Sequence, residues 1–306
     1  MKLHFLGTGA GVPSKPRNVT SIMLKLLDEN NEMWMFDCGE ATQQQILRTT
    51  LKPRKVSKIF ISHLHGDHIF GLPGFLSSRN FQGGEDELTV YGPKGIKRYI
   101  ETCLSVTGTR LAYPLSIIEL DQEGIAVENK QFKVTYKTLQ HVIPCYGFRI
   151  EEADQPGQLL VDKALAAGVP KGPMLGQLKN GQSVELADGR ILDGKDFIGP
   201  DKEGKIVTIL GDTRYCSQAI DLARDAHALV HEATFEAGEE EMARRYGHST
   251  AAQAAQVAQA AGAKQVFLTH ISARYVGKKA KQLQKDAQLI FPNSQLVHDF
   301  DEYIIE

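Results

Sequence analysis

His63-Leu64-His65-Gly66-Asp67-His68 follows directly on the apolar run Lys58-Ile59-Phe60-Ile61-Ser62. Three imidazoles and a carboxylate within so short a stretch are too many polar groups to serve a core. In an extended segment side chains alternate, so His63 and His65 share a side, where two nitrogens can grip one cation. Gly66 permits a turn that brings Asp67 and His68 toward a second cation. Zinc takes imidazole and carboxylate ligands in this way, and a catalytic zinc keeps one position open for water. The competing reading is a solvated His-rich loop, and the position immediately past an apolar strand weighs against it.

The same unit recurs along the chain: a short apolar strand, then a ligand-type residue just past its carboxyl end. Phe132–Leu139 leads to His141, Ile206–Leu210 to Asp212, Ala228–Val230 to His231-Glu232, and Val266–Thr269 to His270. Helical stretches are expected at 40–50, 93–106, 249–261 and 278–290, and Val19–Leu27 with Met33–Phe36 reads as a hairpin. Functional groups gathered at the carboxyl ends of strands are the arrangement of an α/β site. One edge would collect five histidines and two aspartates: His63, His65, His68, His141, His270, Asp67 and Asp212. His4, His227 and His298 lack such company and read as structural or surface residues.

Gly7-Thr8-Gly9-Ala10-Gly11 follows a first strand, as a dinucleotide loop would, but Pro13 and Pro16 keep the chain extended where a helix should begin. No nucleotide cofactor is therefore expected. Residues 153–201 break the strand-and-helix pattern with many turn residues, among them Pro156-Gly157, Asn180-Gly181 and Gly199-Pro200. They read as an inserted, flexible arm without a core of its own, carrying 5 basic and 7 acidic residues. Within it, Gly168–Gln182 holds Lys171 and Lys179 with no acid between.

The 306 residues, 42% hydrophobic and 24% charged, provide material for one large domain or two smaller ones. A net charge of -2 argues against a generally basic nucleic-acid binder, although a local patch or bound metal can supply the field. Cys38, Cys103, Cys145 and Cys216 show no Cys-x-x-Cys spacing and read as thiols of a reducing compartment. With no signal-type start and no span-length apolar run, a cytoplasmic protein is expected, with no membrane partner.

Taken together, His63, His65, Asp67, His68, His141, Asp212 and His270 make the chain resemble the metallo-β-lactamase superfamily of two-metal hydrolases. The resemblance covers nearly everything but the arm. It implies a single α+β catalytic domain over 1–306, a four-layer αββα sandwich of two facing sheets with helices outside. Further motifs resemble the ribonuclease Z branch: Pro13-Ser14-Lys15-Pro16-Arg17-Asn18, His231-Glu232-Ala233-Thr234, His248-Ser249-Thr250 and Ser272-Ala273-Arg274. No motif position departs from that pattern, the length is that of the short form, and the insert falls where the branch carries its substrate arm.

This resemblance implies two zinc ions per chain. His63, His65 and His141 would hold the first, Asp67, His68 and His270 the second, with Asp212 bridging. Two dications and two aspartates leave the site at about +2, suited to an anionic phosphodiester and to lowering the pKa of a water between the metals. Asp67 is a mixed ligand and proton acceptor. His248 is the candidate proton donor to the leaving 3′ oxygen, oriented by Glu232, while Ser249 or Thr250 caps the following helix. Lys15, Arg17, Asn18 and Arg274 would contact RNA, as would Lys171 and Lys179 on the arm. The implied activity is removal of the 3′ trailer from precursor transfer RNA by a homodimer. Two other readings stay open: a relative acting on a small molecule such as a β-lactam, thioester or simple phosphodiester, and a zinc-dependent RNA-binding protein without catalysis.

Overall fold

The structure, a computed structural model, describes all residues 1–306. Two seven-stranded mixed sheets divide the chain, the first taking the strands up to Leu120 together with the last strand, the second taking its seven from those between. In spatial order the first holds Glu302–Ile304, Lys2–Gly7, Ser21–Leu26, Glu32–Phe36, Val56–Phe60, Leu88–Pro93 and Leu115–Leu120. The second holds Ser294–Leu296, Val266–Thr269, Ala228–Glu232, Ile206–Leu210, Tyr146–Glu152, Phe132–Thr138 and Glu123–Glu128. In each sheet four successive strands run parallel, so their carboxyl ends fall on one edge.

Period-two alternation decides what lies between the layers. On Val56–Phe60, Ile59 packs outward and Phe60 inward. Phe36, Phe60 and Tyr91 are register partners on neighbouring strands, their rings stacked at 4.9 and 5.0 Å. Phe148 of the second sheet lies 5.3 Å from Phe60. The inner core is thus an aromatic layer joining two sheets face to face.

Helices cover both outer faces. Leu72–Phe81 and Ile96–Val106 bury Leu72, Phe75, Leu76, Ile96 and Ile100 against the first sheet. Ala251–Ala261 lays five buried alanines against the second, where small side chains allow close approach, and Lys278–Ile290 packs beside it. Thr250 caps Ala251–Ala261 with a full capping box to Gln253, and Gly262 ends it at φ 67°. The expected four-layer metallo-β-lactamase sandwich is therefore the observed fold. No helix is long and apolar enough to cross a membrane.

The helix expected at 40–50 is only Thr42–Leu47, because Ala41 sits in the left-handed region at φ 60°. That expected at 93–106 begins at Ile96, after Gly95 at φ 107°. The insert needs a larger correction. Residues 152–204 form a compact unit with a small core of their own, made by Ala164, Val169, Leu178, Val184, Leu186 and Phe197. The helices Val161–Ala166 and Pro173–Lys179 and the two-stranded pairing of Val184–Glu185 with Ile191–Leu192 supply it. The apolar positions are spaced across several short elements, so no single window shows a period.

Phe60 is fully buried at the centre of the aromatic layer, whereas Phe81 is 84% exposed. Phe60→Ala should lower stability by about 3–5 kcal/mol in denaturant titrations, and Phe81→Ala by less than about 0.5 kcal/mol. Equal losses would contradict the placement of the core.

Candidate metal centre and active site

Loops at the carboxyl ends of the parallel strands converge on one locus. Asp37 follows Glu32–Phe36, and His63 to His68 follow Val56–Phe60. From the second sheet come Asp212 after Ile206–Leu210, Glu232 at the end of Ala228–Glu232, and His270 after Val266–Thr269. His63, His65, His141 and Asp212 offer one donor atom each in a group whose atoms lie within 4.8 Å of one another. Within it His65 Nδ1 is 3.0 Å from His63 Nε2 and 3.2 Å from His141 Nε2. Asp67, His68 and His270 form the neighbouring group, with His270 Nε2 at 3.3 Å from both Asp67 Oδ2 and His68 Nε2. Asp212 Oδ2 stands between the groups, 3.5 Å from His63 Nε2 and His68 Nε2 and 3.4 Å from His270 Nε2.

Two relays of identical design orient the ring nitrogens. Asp37 Oδ2 accepts His68 Nδ1–H at 2.8 Å and the Ser62 hydroxyl at 2.7 Å. Ser62 Oγ in turn accepts His63 Nδ1–H at 3.0 Å. Across the cleft, Glu232 Oε1 accepts His248 Nδ1–H at 2.9 Å, and its Oε2 accepts the Thr234 hydroxyl at 2.7 Å. Thr234 Oγ1 accepts His270 Nδ1–H at 2.9 Å. Gly247 O takes His141 Nδ1–H at 2.7 Å. For His63, His68, His141 and His270 such a bond places a proton on Nδ1 and turns Nε2 toward the cluster.

In the neutral rings, the Nε2 lone pairs of His63, His68, His141 and His270 therefore face one another and carboxylate oxygens. Such a set is repulsive by itself and is satisfied by cations, so the residues fit a metal cofactor. With no cation between them, His68 takes up that charge: against its burial, Asp212 and Asp37 raise its imidazole well above the ordinary value. Burial pushes the Asp212 carboxyl up, but His270, His68 and His63 outweigh it and hold it well below the usual range. Asp67 is likewise lowered by His270 and His68 against its burial. Burial lowers His63 well below an ordinary imidazole. His248 is raised as well: against its burial, the buried Glu232 carboxylate brings it to about 9.

Asp37 and Ser62 are functional positions that sequence reading passed over. Asp37 stands just past a strand end, as the ligands do, but it reads equally well as a turn residue. The Gly-rich loop also has a role beyond turning, since Gly11 N–H donates to Asp67 Oδ2 at 2.8 Å. Arg17 is a correction. It is only 4% exposed, and its guanidinium donates to Thr8 Oγ1 and Val297 O, both at 2.6 Å, so it braces the loop and offers nothing to an RNA phosphate. Asn18 is engaged as well, its amide donating to Glu40 O at 2.8 Å and its backbone N–H to Asp299. Lys15 is exposed. Arg274 is half exposed at the cleft, paired with Glu239 at 3.0 Å. Lys171 and Lys179 are exposed on the separate unit 152–204. His231 is buried with Nδ1 on the Glu232 carbonyl, on the strand face opposite the Glu232 side chain. His4, His227 and His298 lie outside the cluster, each with a partner elsewhere. The cleft above the ligands has a volume of about 390 Å³.

Residues 1–155 match the family model described as Anti-Pycsar protein Apyc1, and residues 197–271 match that of the Beta-lactamase superfamily domain. Over its whole length the chain is similar to proteins named Ribonuclease Z. That of Lactiplantibacillus plantarum is 58% identical, covering 98% of this chain and 97% of the relative. That of Bacillus mycoides is 56% identical, covering 100% of both. Among solved structures, human tRNase Z, short form, superposes with a TM-score of 0.71 at 28% identity, covering 100% of both chains. The first family model spans about half of this chain and the named relatives nearly all of it, so the relatives decide the branch. With the metallo-β-lactamase fold and whole-length identity of this order, the chain belongs to the ribonuclease Z family and is an endoribonuclease.

Proposed function

We propose that this endoribonuclease uses two zinc ions to cut the 3′ trailer from precursor transfer RNA, leaving a 3′-hydroxyl on the transfer RNA and a 5′-phosphate on the trailer. The observation that carries the reading is the Glu232–His248 pair set 3.9 Å from the shared Asp212, a proton donor built beside a metal-ligand cluster. The relatives named Ribonuclease Z and human tRNase Z support the substrate.

His63, His65 and His141 would hold one zinc, and Asp67, His68 and His270 the other, with Asp212 shared. Ions so held supply Lewis acidity toward phosphate oxygens and bring the pKa of a water toward about 7. The residues do the rest. Asp67, fixed by the Gly11 N–H, accepts a hydrogen bond from the attacking water and orients it in line with the scissile P–O bond. His248, its Nδ1 proton tied to Glu232, presents Nε2–H to the departing 3′ oxygen and donates that proton as the bond breaks. Against its burial, His248 holds the Glu232 carboxyl below its ordinary range, and the Thr213, Thr234 and Ser249 N–H groups also point at it, so it can offset the charge on His248 before transfer. Lys15 and Arg274 take flanking phosphates.

Residues 152–204 bind the folded body of the RNA through Lys171, Lys179 and the acid-free stretch around them. The proposal includes the homodimer that the family resemblance implies. It also includes a cytoplasmic setting, which suits four free cysteines.

His248→Ala should keep its metal content yet cut precursor transfer RNA about 10²–10⁴-fold more slowly. On a nitrophenyl phosphodiester, whose leaving group needs no proton, the loss should shrink toward nothing. Equal loss on both substrates removes His248 from the acid role. Replacing residues 153–203 by a short Gly/Ser linker should leave hydrolysis of that small ester near normal. Efficiency on precursor transfer RNA should fall steeply through KM, with a flatter salt dependence. Unchanged cleavage of precursor transfer RNA would make the insert a mere surface excursion.

A further inference from the structure

The short helix Glu240–Tyr246 places Met242 and Tyr246 four residues apart, hence on one face, and both line the cleft. They are 42% and 54% exposed. Phe235 lies beside them, its ring within 10° of parallel to that of Tyr246 at a centroid distance of 6.3 Å. Phe235 cannot drift, because its N–H donates to Ser249 O and its carbonyl accepts Ala251 N–H at 3.0 Å. Phe235 itself is only 7% exposed, with the Arg274 guanidinium 5.3 Å over its ring, so the exposed apolar ledge is Tyr246 and Met242 with Phe235 as its backing. A phosphodiester group has no use for such a surface, whereas a nucleobase presents a π-face that gains from it.

The ledge is fixed relative to the proton donor. The helix ends at Gly247, in the left-handed region at φ 83°, and the next residue is His248. His248 N–H returns to Ala243 O at 2.8 Å, and Gly247 O holds His141 at 2.7 Å. A side chain at Gly247 would meet His141 Nδ1 at 2.8 Å, so the turn can approach the site this closely only with glycine. Tyr246 and His248 therefore move as one piece, and the Phe235 ring centroid lies 6.1 Å from that of His248.

We propose that Tyr246, backed by Phe235 and flanked by Met242, stacks the base of the nucleotide on the 5′ side of the cut, whose 3′ oxygen receives the proton of His248. This rests on the reading of the chain as a transfer-RNA trailer endonuclease, and it makes Tyr246 a substrate-positioning residue for that step. The stacked base sets the ribose, and the ribose sets the leaving oxygen against His248.

The test crosses Tyr246→Ala with a precursor transfer RNA that is abasic at the nucleotide 5′ to the cut. On intact substrate, Tyr246→Ala should lower kcat/KM by roughly 5- to 150-fold, the range of one base–aromatic stack, with kcat falling as well as KM rising and with an unchanged salt slope. On the abasic substrate, wild type and Tyr246→Ala should cleave alike. Tyr246→Phe and Tyr246→Trp should keep the wild-type response to base removal, which a merely folding role would not produce. The same factor on intact and abasic substrates overturns the ledge, as does a dependence only on the base 3′ to the cut. Failure of the wild type to cut the intact substrate would instead sink the reading of function on which the proposal rests.

Discussion

Two buried carboxylates, one from each sheet, hold the core of the centre in register. Asp37 grips His68 directly and His63 through the Ser62 hydroxyl. Glu232 grips His248 directly and His270 through the Thr234 hydroxyl. A carboxylate 5% or 1% exposed, as these are, costs several kcal/mol unless charge-assisted donors surround it. Each has them, Asp37 from the Ser62 N–H as well and Glu232 from three backbone N–H groups. They orient three of the ligand imidazoles, His63, His68 and His270, together with the proton donor His248, while Gly247 O holds His141. Asp37 and His270 both occupy the left-handed region, at φ 57° and 55°. For a side chain bearing Cβ that conformation costs about 1–2 kcal/mol, and here the strain sits at the two strand ends that aim ligands into the cleft.

Because the relays come from opposite sheets, the site exists only while the sheets stay packed. The stacked Phe36, Phe60 and Tyr91 rings and Phe148 opposite them set that separation. Asp212, from the second sheet, then reaches the nitrogens of His63 and His68 from the first. Core packing and ligand geometry are in this sense one constraint. Arg17 and Asp299 extend it to the N-terminal loop. Thr8 and Asn18 are tied to Asp299 at 2.7 and 2.6 Å, so that Gly11 meets Asp67.

The ligand residues could be found in the sequence because each follows an apolar strand, and strand-end positions in a parallel sheet share an edge. The sandwich was legible only through the family that those ligand motifs resemble, because no period along the strands says which two sheets face each other. The relays were less so. Ser62 and Asp37 are ordinary residues whose role depends on which nitrogen of a distant histidine they meet, and no local period reports that. Arg17 misled because its charge resembles that of a phosphate contact, whereas burial, which sequence does not display, makes it a brace. The core of residues 152–204 escaped notice because its apolar side chains are dispersed over short helices and turns.

The central claim is that Asp212 joins two metal sites into one centre, and metal content measures it most directly. Purified protein, dialysed against metal-free buffer after loading with zinc, should retain two equivalents per chain by elemental analysis. Asp212→Ala, folded with an unchanged far-ultraviolet spectrum, should lose occupancy at both sites, because Asp212 Oδ2 lies within 3.5 Å of nitrogens from both ligand groups. A wild-type chain that holds a single equivalent, with the variant holding the same, would contradict the account.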